Sequence, residues 1–269
     1  MYLLDYHTHS RCSPDSEAPL WDMVQAARQA GLRELCTTDH CDLLKEDGSL
    51  LESWDWTPIL EQFEEVSARL KANHFRLCLG LELGEAHEQP ELAGQIVAGA
   101  PLDLVIGSIH NMSLDAGGRD LFYVDLTREE TCREVLEDYM SGLLRLAPLL
   151  HYDVLGHIIY PLRYINGRGG HHMTLEPWQD QLDTVLRAVI DSGRSIEVNT
   201  HGGREIEEWR PVLKRYRELG GELVTLASDA HRPGNVARGL PQAAQLLLET
   251  GFQYVTLYRR RRPEPIKLN

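Results

Sequence analysis

The sequence has no apolar run approaching the roughly 18 residues of a membrane helix, so no membrane partner is expected. Its first residues, MYLLDYHTH, contain neither a basic segment nor an apolar one. No signal peptide is therefore expected, and the expected location is the cytoplasm. Cysteine is scarce: Cys12, Cys36, Cys41, Cys78 and Cys132 are an odd number, and none form a C-x-x-C pair. That pattern argues against a disulfide framework and for reduced thiols packed as small apolar groups. Basic charge is also short. Lysine and arginine number 27 against 41 aspartates and glutamates, for a net charge of −14. Such a surface repels phosphate backbones, so no nucleic-acid partner is expected. The run RRRR at 259–262 is expected to be a solvated or substrate-side tail, not a nucleic-acid patch. Low-complexity tracts and obvious repeats are missing too.

What is present is enough chain for one large core. The 269 residues suit a single α/β barrel, which needs ~200–250. Short apolar runs recur at Tyr2–Tyr6, Glu34–Thr38, Leu77–Leu83, Leu102–Ile109, Tyr152–Leu155, Ser195–Val198, Leu223–Ala227 and Tyr254–Leu257. They read as buried strands. Between them lie helical patterns over Leu20–Ala30, Pro58–Ala72, Arg128–Leu146, Leu175–Asp191, Glu205–Leu219 and Val236–Glu249. Thr127-x-x-Glu130 predicts a capping box, and Gly31, Gly193, Gly220 and Gly251 fall where helices stop. Strands alternating with helices predict parallel β/α units, one domain over residues 1–269, with functional groups at the carboxyl ends of the strands.

Those ends carry a pattern. In order they offer Asp5, His7 and His9; Asp39 and His40 in TTDH; Glu82 in GLELGE; His110 in GSIH; and His157 in VLGH. Glu197, Asn199, His201 and Arg204 follow in EVNTHGGR, then Asp229 and His231 in ASDAH. A lone histidine after a strand is usually just a satisfied polar residue. Seven consecutive strand ends carrying histidine or carboxylate instead converge on one barrel mouth. Neutral imidazoles and carboxylates suit Zn²⁺, Mn²⁺ or Fe²⁺. In an extended segment, residues i and i+2 point the same way, so His7 and His9 can share an ion. So many ligands exceed one tetrahedral ion, which implies two or three divalent metals with Glu82 as the natural bridging carboxylate.

DYHTHS, TTDH, GLELG, GSIH, GH and SDAH, in that order, resemble the PHP superfamily, named for polymerase and histidinol phosphatase. The match runs from Asp5 to the arginine-rich end, and the chain looks most similar to the family's histidinol-phosphate phosphatases. The resemblance implies a distorted, TIM-like (β/α)7 barrel, so one of the eight runs would lie outside it. It also implies a trinuclear site. His7, His9, Glu82 and Asp229 would hold one ion, Glu82, His110 and His157 a second, and Asp15, His40 and His231 a third. Many relatives have a histidine at the position of Asp15. Arg163 in GHIIYPLRY and Arg204 in NTHGGR match phosphate-binding arginines, whose fork suits a monoester dianion. His201 stands where the family usually has a small hydroxyl residue. It is a substrate contact, an acid for the leaving group, or a residue that merely packs beside the site.

The expected activity is metal-dependent hydrolysis of a phosphate monoester, L-histidinol phosphate first among candidates. A metal-bridging hydroxide would attack phosphorus, with no catalytic group beyond it except the candidate acid His201. Another small phosphate ester or a nucleotide is the alternative substrate. A metal-free structural module is disfavoured because no expected ligand is missing. An amidohydrolase barrel is disfavoured because no strand ends in lysine. Asp5 and Asp39 are expected to orient ligand histidines. An acidic pocket would suit the substrate's ammonium and imidazole, and Glu197 or acidic loop residues could supply it, without a placement from sequence. His171, His172 and the Trp54/Trp56 loop are read either as substrate contacts or as ordinary loop.

Overall fold

A computed structural model describes residues 3–70 and 75–268. Tyr2 of the first predicted strand and residues 71–72 of the predicted Pro58–Ala72 helix lie outside the described residues. The strands are β1 (Leu4–Asp5), β2 (Glu34–Thr37), β3 (His40–Asp42), β4 (Arg76–Gly84), β5 (Leu104–Ser108), β6 (Val154–Leu155), β7 (Ser195–Asn199), β8 (Val224–Ala227), β9 (Tyr254–Arg259) and β10 (Arg262–Lys267). The helices are α1 (Leu20–Gln29), α2 (Thr57–Leu70), α3 (Pro90–Ala98), α4 (Glu129–Leu146), α5 (Tyr160–Gly167), α6 (Gln179–Asp191), α7 (Arg210–Glu218) and α8 (Leu240–Glu249).

Seven strands run parallel in the order β1-β2-β4-β5-β6-β7-β8. The last returns to the first: the Tyr6 amide donates to the Leu226 carbonyl at 3.0 Å and the Asp229 amide to the His7 carbonyl at 2.9 Å. The result is a nearly closed (β/α)7 barrel. Every residue of β2, β5, β7 and β8 is buried, because helices cover one face and the barrel interior the other. The alternation read from sequence therefore located the barrel strands. Two short helices, α3 and α5, and the three-residue β3 escaped it. β3 continues β2 after a break at Thr38-Asp39 and pairs His40 with Glu82 of β4.

Other expectations need correction. The capping box before α4 does not form. Asp125 captures the Thr127 amide at 3.1 Å, and Arg128, in extended backbone, precedes the helix without a side-chain cap. Trp56 does not face the mouth; its indole donates to the Ile96 carbonyl at 3.0 Å, docking the loop on α3. His171 is held by the Leu126 carbonyl at 2.9 Å. The five cysteines are free, as the sequence implied.

The eighth predicted run, β9, lies outside the barrel in an antiparallel hairpin with β10. Its arginines form no free tail. Arg259 binds Glu34 and, at 2.8 Å, the Tyr6 hydroxyl. Arg261 Nε binds both oxygens of Asp153 at 2.9 and 3.1 Å. The Arg260 amide donates to Asp103 and the Tyr258 hydroxyl pairs with Ser195. Glu34, Asp103, Asp153 and Ser195 all begin, or immediately precede, barrel strands, so the hairpin closes the barrel's amino-terminal end. The mouth is left to the opposite end. Arg261→Ala removes a charge-assisted contact to a buried carboxylate and is expected to cost about 2 kcal/mol of unfolding free energy. Urea denaturation checks this; an unchanged midpoint would deny the hairpin its role as a cap.

Candidate metal centre

The nine predicted ligands come together at the mouth. Glu82 organises them from β4, fully buried, with its two oxygens facing different partners. Oε2 lies 3.0 Å from His7 Nε2, 3.4 Å from His9 Nε2 and 3.0 Å from His40 Nδ1. Oε1 lies 3.1 Å from His110 Nε2 and 2.8 Å from His157 Nε2, and accepts the Ser108 hydroxyl at 2.7 Å. Asp229 Oδ1 lies 3.4 Å from His9 Nε2. Asp15, from the first loop, reaches His231 Nε2 at 2.8 Å and His40 Nε2 at 3.6 Å.

Donor chemistry tests whether this arrangement fits metal ions. His7 Nε2, His9 Nε2, His40 Nδ1, His231 Nε2 and Glu82 Oε2 are buried without a well-aligned hydrogen bond, although a carboxylate oxygen lies within 2.8–3.4 Å of each nitrogen. His110 Nε2 and His157 Nε2 stand 3.2 Å apart. Leaving buried polar atoms unsatisfied costs ~1–3 kcal/mol each, and facing lone pairs repel, so the set is suited to cations between them. The ligating atoms cluster as His7, His9 and Glu82; as Glu82, His110 and His157; and as His9, Asp15, His40 and His231. His40, Asp42 and His110 form a fourth such cluster.

Three inward nitrogens, those of His7, His9 and His110, are set by what the other side of the ring touches. His7 Nδ1 pairs with Glu197 at 2.9 Å, and His110 Nδ1 with Asp42 at 2.9 Å. His9 Nδ1 pairs with the Ser13 hydroxyl at 3.0 Å, which in turn donates to Asp39 at 2.9 Å. Such partners fix the ring and its tautomer. Asp39 thus acts on His9 as expected, through Ser13. Asp5 does not orient a histidine; it accepts from the Ser228 amide and hydroxyl and the Ala237 amide, shaping the loop after β8. Glu197 is not available to a substrate ammonium either, since His7, the His157 amide and Asn199 occupy it. Burial alone would favour a neutral His7, but Glu82, Glu197 and Asp229 outweigh it and hold the imidazole well above its usual range.

Sequence reasoning missed Asp42, Ser13, Glu85 and Glu205. Asp42 was readable: it lies two residues past His40 in an extended segment, so it shares that face. Glu85 accepts the amides of both His110 and, at 3.1 Å, Asn111, and burial pushes its carboxyl up to about 8.

Arg163 is buried and reaches three groups. Nε pairs with Glu205 at 3.1 Å, Nη1 with Asp229 at 3.1 Å, and Nη2 with Asn199 at 3.3 Å. Arg204 is exposed and lies against His201, whose backbone is left-handed at φ 46°. The guanidinium of Arg163 therefore borders the metal cluster through Asp229, while that of Arg204 stands farther out.

Residues 5–201 match the PHP domain. The chain belongs to the PHP family. A probable histidinol-phosphatase of Clostridium acetobutylicum is 29% identical over 263 residues, 96% of this chain and 98% of that protein. The histidinol-phosphatase of Lactococcus lactis is 27% identical over 96% of this chain and 95% of its own length. The crystal structure of a histidinol phosphate phosphatase from Lactococcus lactis, complexed with zinc, L-histidinol and phosphate, superposes with a TM-score of 0.84. It is 24% identical and covers 97% of this chain and 98% of its own. That likeness confirms the PHP barrel fold. Glu197→Ala frees the ring of His7 and is expected to weaken divalent-metal binding about 10–100-fold. Metal content after dialysis checks it; unchanged loading would remove Glu197 from the site's support.

Proposed function

We propose that the whole chain, residues 1–269, is one PHP metallo-phosphoesterase domain, a phosphoric monoester hydrolase that cleaves L-histidinol phosphate in the cytoplasm. The observation that carries this reading is Glu82, one buried carboxylate whose oxygens face two separate imidazole sets. The near full-length relatives named histidinol-phosphatase supply the substrate. In this reading His7, His9, Glu82 and Asp229 hold one ion, Glu82, His110 and His157 a second, and Asp15, His40 and His231 a third. Zinc, manganese and iron all suit these donors. The bound ions activate water at neutral pH and neutralise charge on the phosphate.

The chain's own residues do the rest. Arg163 and Arg204 bind phosphate oxygens, which favours a small monoester over a polymer. Arg163 keeps one hydrogen on each terminal nitrogen beyond those given to Asp229 and Asn199, enough for a two-point contact. The rim is acidic where a cationic leaving group would lie. Asp42 and Glu46 stand close enough to Asp120 that, after burial, they push its carboxyl up. The buried Tyr160 ring lies beside that region, its centroid 4.7 Å from that of His157 and 5.4 Å from that of His110.

Steady-state kinetics on L-histidinol phosphate, p-nitrophenyl phosphate and an oligonucleotide test the assignment. The expected order has histidinol phosphate far ahead and the oligonucleotide inert. Parity with p-nitrophenyl phosphate would end the specific claim and leave the monoesterase. Chelation should abolish turnover and lower the melting temperature together, because ions that bind only the folded chain stabilise it by mass action. Asp15→Ala should strip the metal held by His40 and His231 while the ions at Glu82 stay. Metal analysis showing full loading would take Asp15 out of the ligand set.

A further inference from the structure

The side chain of His201 is bracketed at both ring nitrogens. Nδ1 lies 3.2 Å from Glu205 Oε1, and Nε2 lies 2.8 Å from an Nη2 of Arg204. Arg204 Nε also donates to the His201 carbonyl at 3.0 Å. A guanidinium has only donors, so His201 Nε2 must present its lone pair to it and the ring proton belongs on Nδ1, facing Glu205. Glu205 is buried and accepts Arg163 Nε through both oxygens at 3.1 and 3.3 Å. Its carboxylate is thus the common anchor of both arginines, directly for one and through an imidazole for the other. The backbone is shaped for this contact: Asn199 Oδ1 accepts the His201 amide at 2.9 Å and holds the residue left-handed.

We propose that His201 is a positioning residue: neutral and anchored by Glu205, it aligns the otherwise exposed Arg204 for the phosphate group, and it is not the acid for the leaving group. The inference rests on the reading of this mouth as a phosphate monoester site. An exposed arginine samples many rotamers, and ordering it before the ligand arrives improves binding without a new ligand contact. An imidazole nitrogen that accepts from a cation has no proton to give at that atom. Burial, with the charges of Arg163 and Arg204, holds the His201 imidazole below its usual range, in keeping with this geometry.

The test uses the metal-loaded enzyme with His201→Ala and His201→Gln. Loss of one charge-assisted contact should raise KM, and the dissociation constant of inorganic phosphate by calorimetry, about tenfold in His201→Ala, with kcat little changed. The loss should be the same for an alkyl phosphate and for p-nitrophenyl phosphate. His201→Gln, whose amide oxygen can accept from Arg204, should recover most of it. A defect confined to the alkyl phosphate, falling on kcat and not recovered by glutamine, would overturn the proposal and make His201 the acid. Unchanged phosphate affinity in His201→Ala would overturn it as well. Melting curves of both variants separate these results from misfolding. A wild-type chain that cleaves no monoester yet binds phosphate tenfold better than His201→Ala would defeat the hydrolase reading and leave the alignment standing.

Discussion

Everything at the mouth depends on one buried carboxylate. Glu82 sits near the end of the longest barrel strand with almost no exposure, a position that costs several kcal/mol for an ion unless charge and hydrogen bonds compensate it. Five imidazoles and the Ser108 hydroxyl surround it. Four of them, His7, His9, His40 and His157, each keep a buried nitrogen without a well-aligned hydrogen bond. Neither group suits the barrel interior alone. Together they form a donor set complementary to divalent cations, and the carboxylate's two oxygens divide that set between two positions. Metal affinity and local stability would then be coupled, because a cation held there would remove the penalty of the side chains around it.

The barrel supplies the geometry by making neighbours of strands far apart in sequence. His7 and Glu197 are 190 residues apart in sequence yet hydrogen-bonded at 2.9 Å, because β1 and β7 both border β8. Asp229, at the end of β8, faces His9 with one oxygen and Arg163 with the other. A single carboxylate therefore fixes the distance between the metal cluster and the guanidinium that would meet phosphate. Asn199 locks the same corner by bonding Glu197, Asp229, Arg163 and the His201 amide. Displacing any of these side chains would move both halves of the site at once.

How much of this was legible in the sequence follows from where the information lies. The barrel strands were legible because residues buried on both faces form unbroken apolar runs. The convergence at the mouth was legible because the barrel runs ended in histidine or carboxylate. β3 was not, since three residues interrupting a polar loop carry no periodicity. Asp5 was noticed but misassigned, and Glu197 was noticed without a placement. A carboxylate at a strand end can turn toward a ring or toward a backbone amide, and only the register of the neighbouring strand decides. Arg260 and Arg262 are solvated as expected, but Arg259 and Arg261 were misread because charge runs are usually solvated. Here the complementary Glu34 and Asp153 lie at strand starts far away in sequence, and no local pattern announces the pairing.

Backbone strain falls at both ends of the barrel: Arg260 and Arg261 are left-handed in the β9–β10 turn, and other such residues serve the mouth. Glu85 at φ 51°, His201 at φ 46° and Asp229 at φ 57° are non-glycine residues in the left-handed region, and all three stand at the mouth. Each such residue costs on the order of 1–3 kcal/mol and persists only where its surroundings dictate it. Each is dictated here by hydrogen bonds that also serve the site. The Asp229 amide closes the barrel on the His7 carbonyl, the His201 amide is taken by Asn199, and the Glu85 carboxylate gathers the amides of His110 and Asn111. The amino-terminal end, sealed by the β9–β10 hairpin with buried aromatic and ionic contacts, contributes stability without ligands.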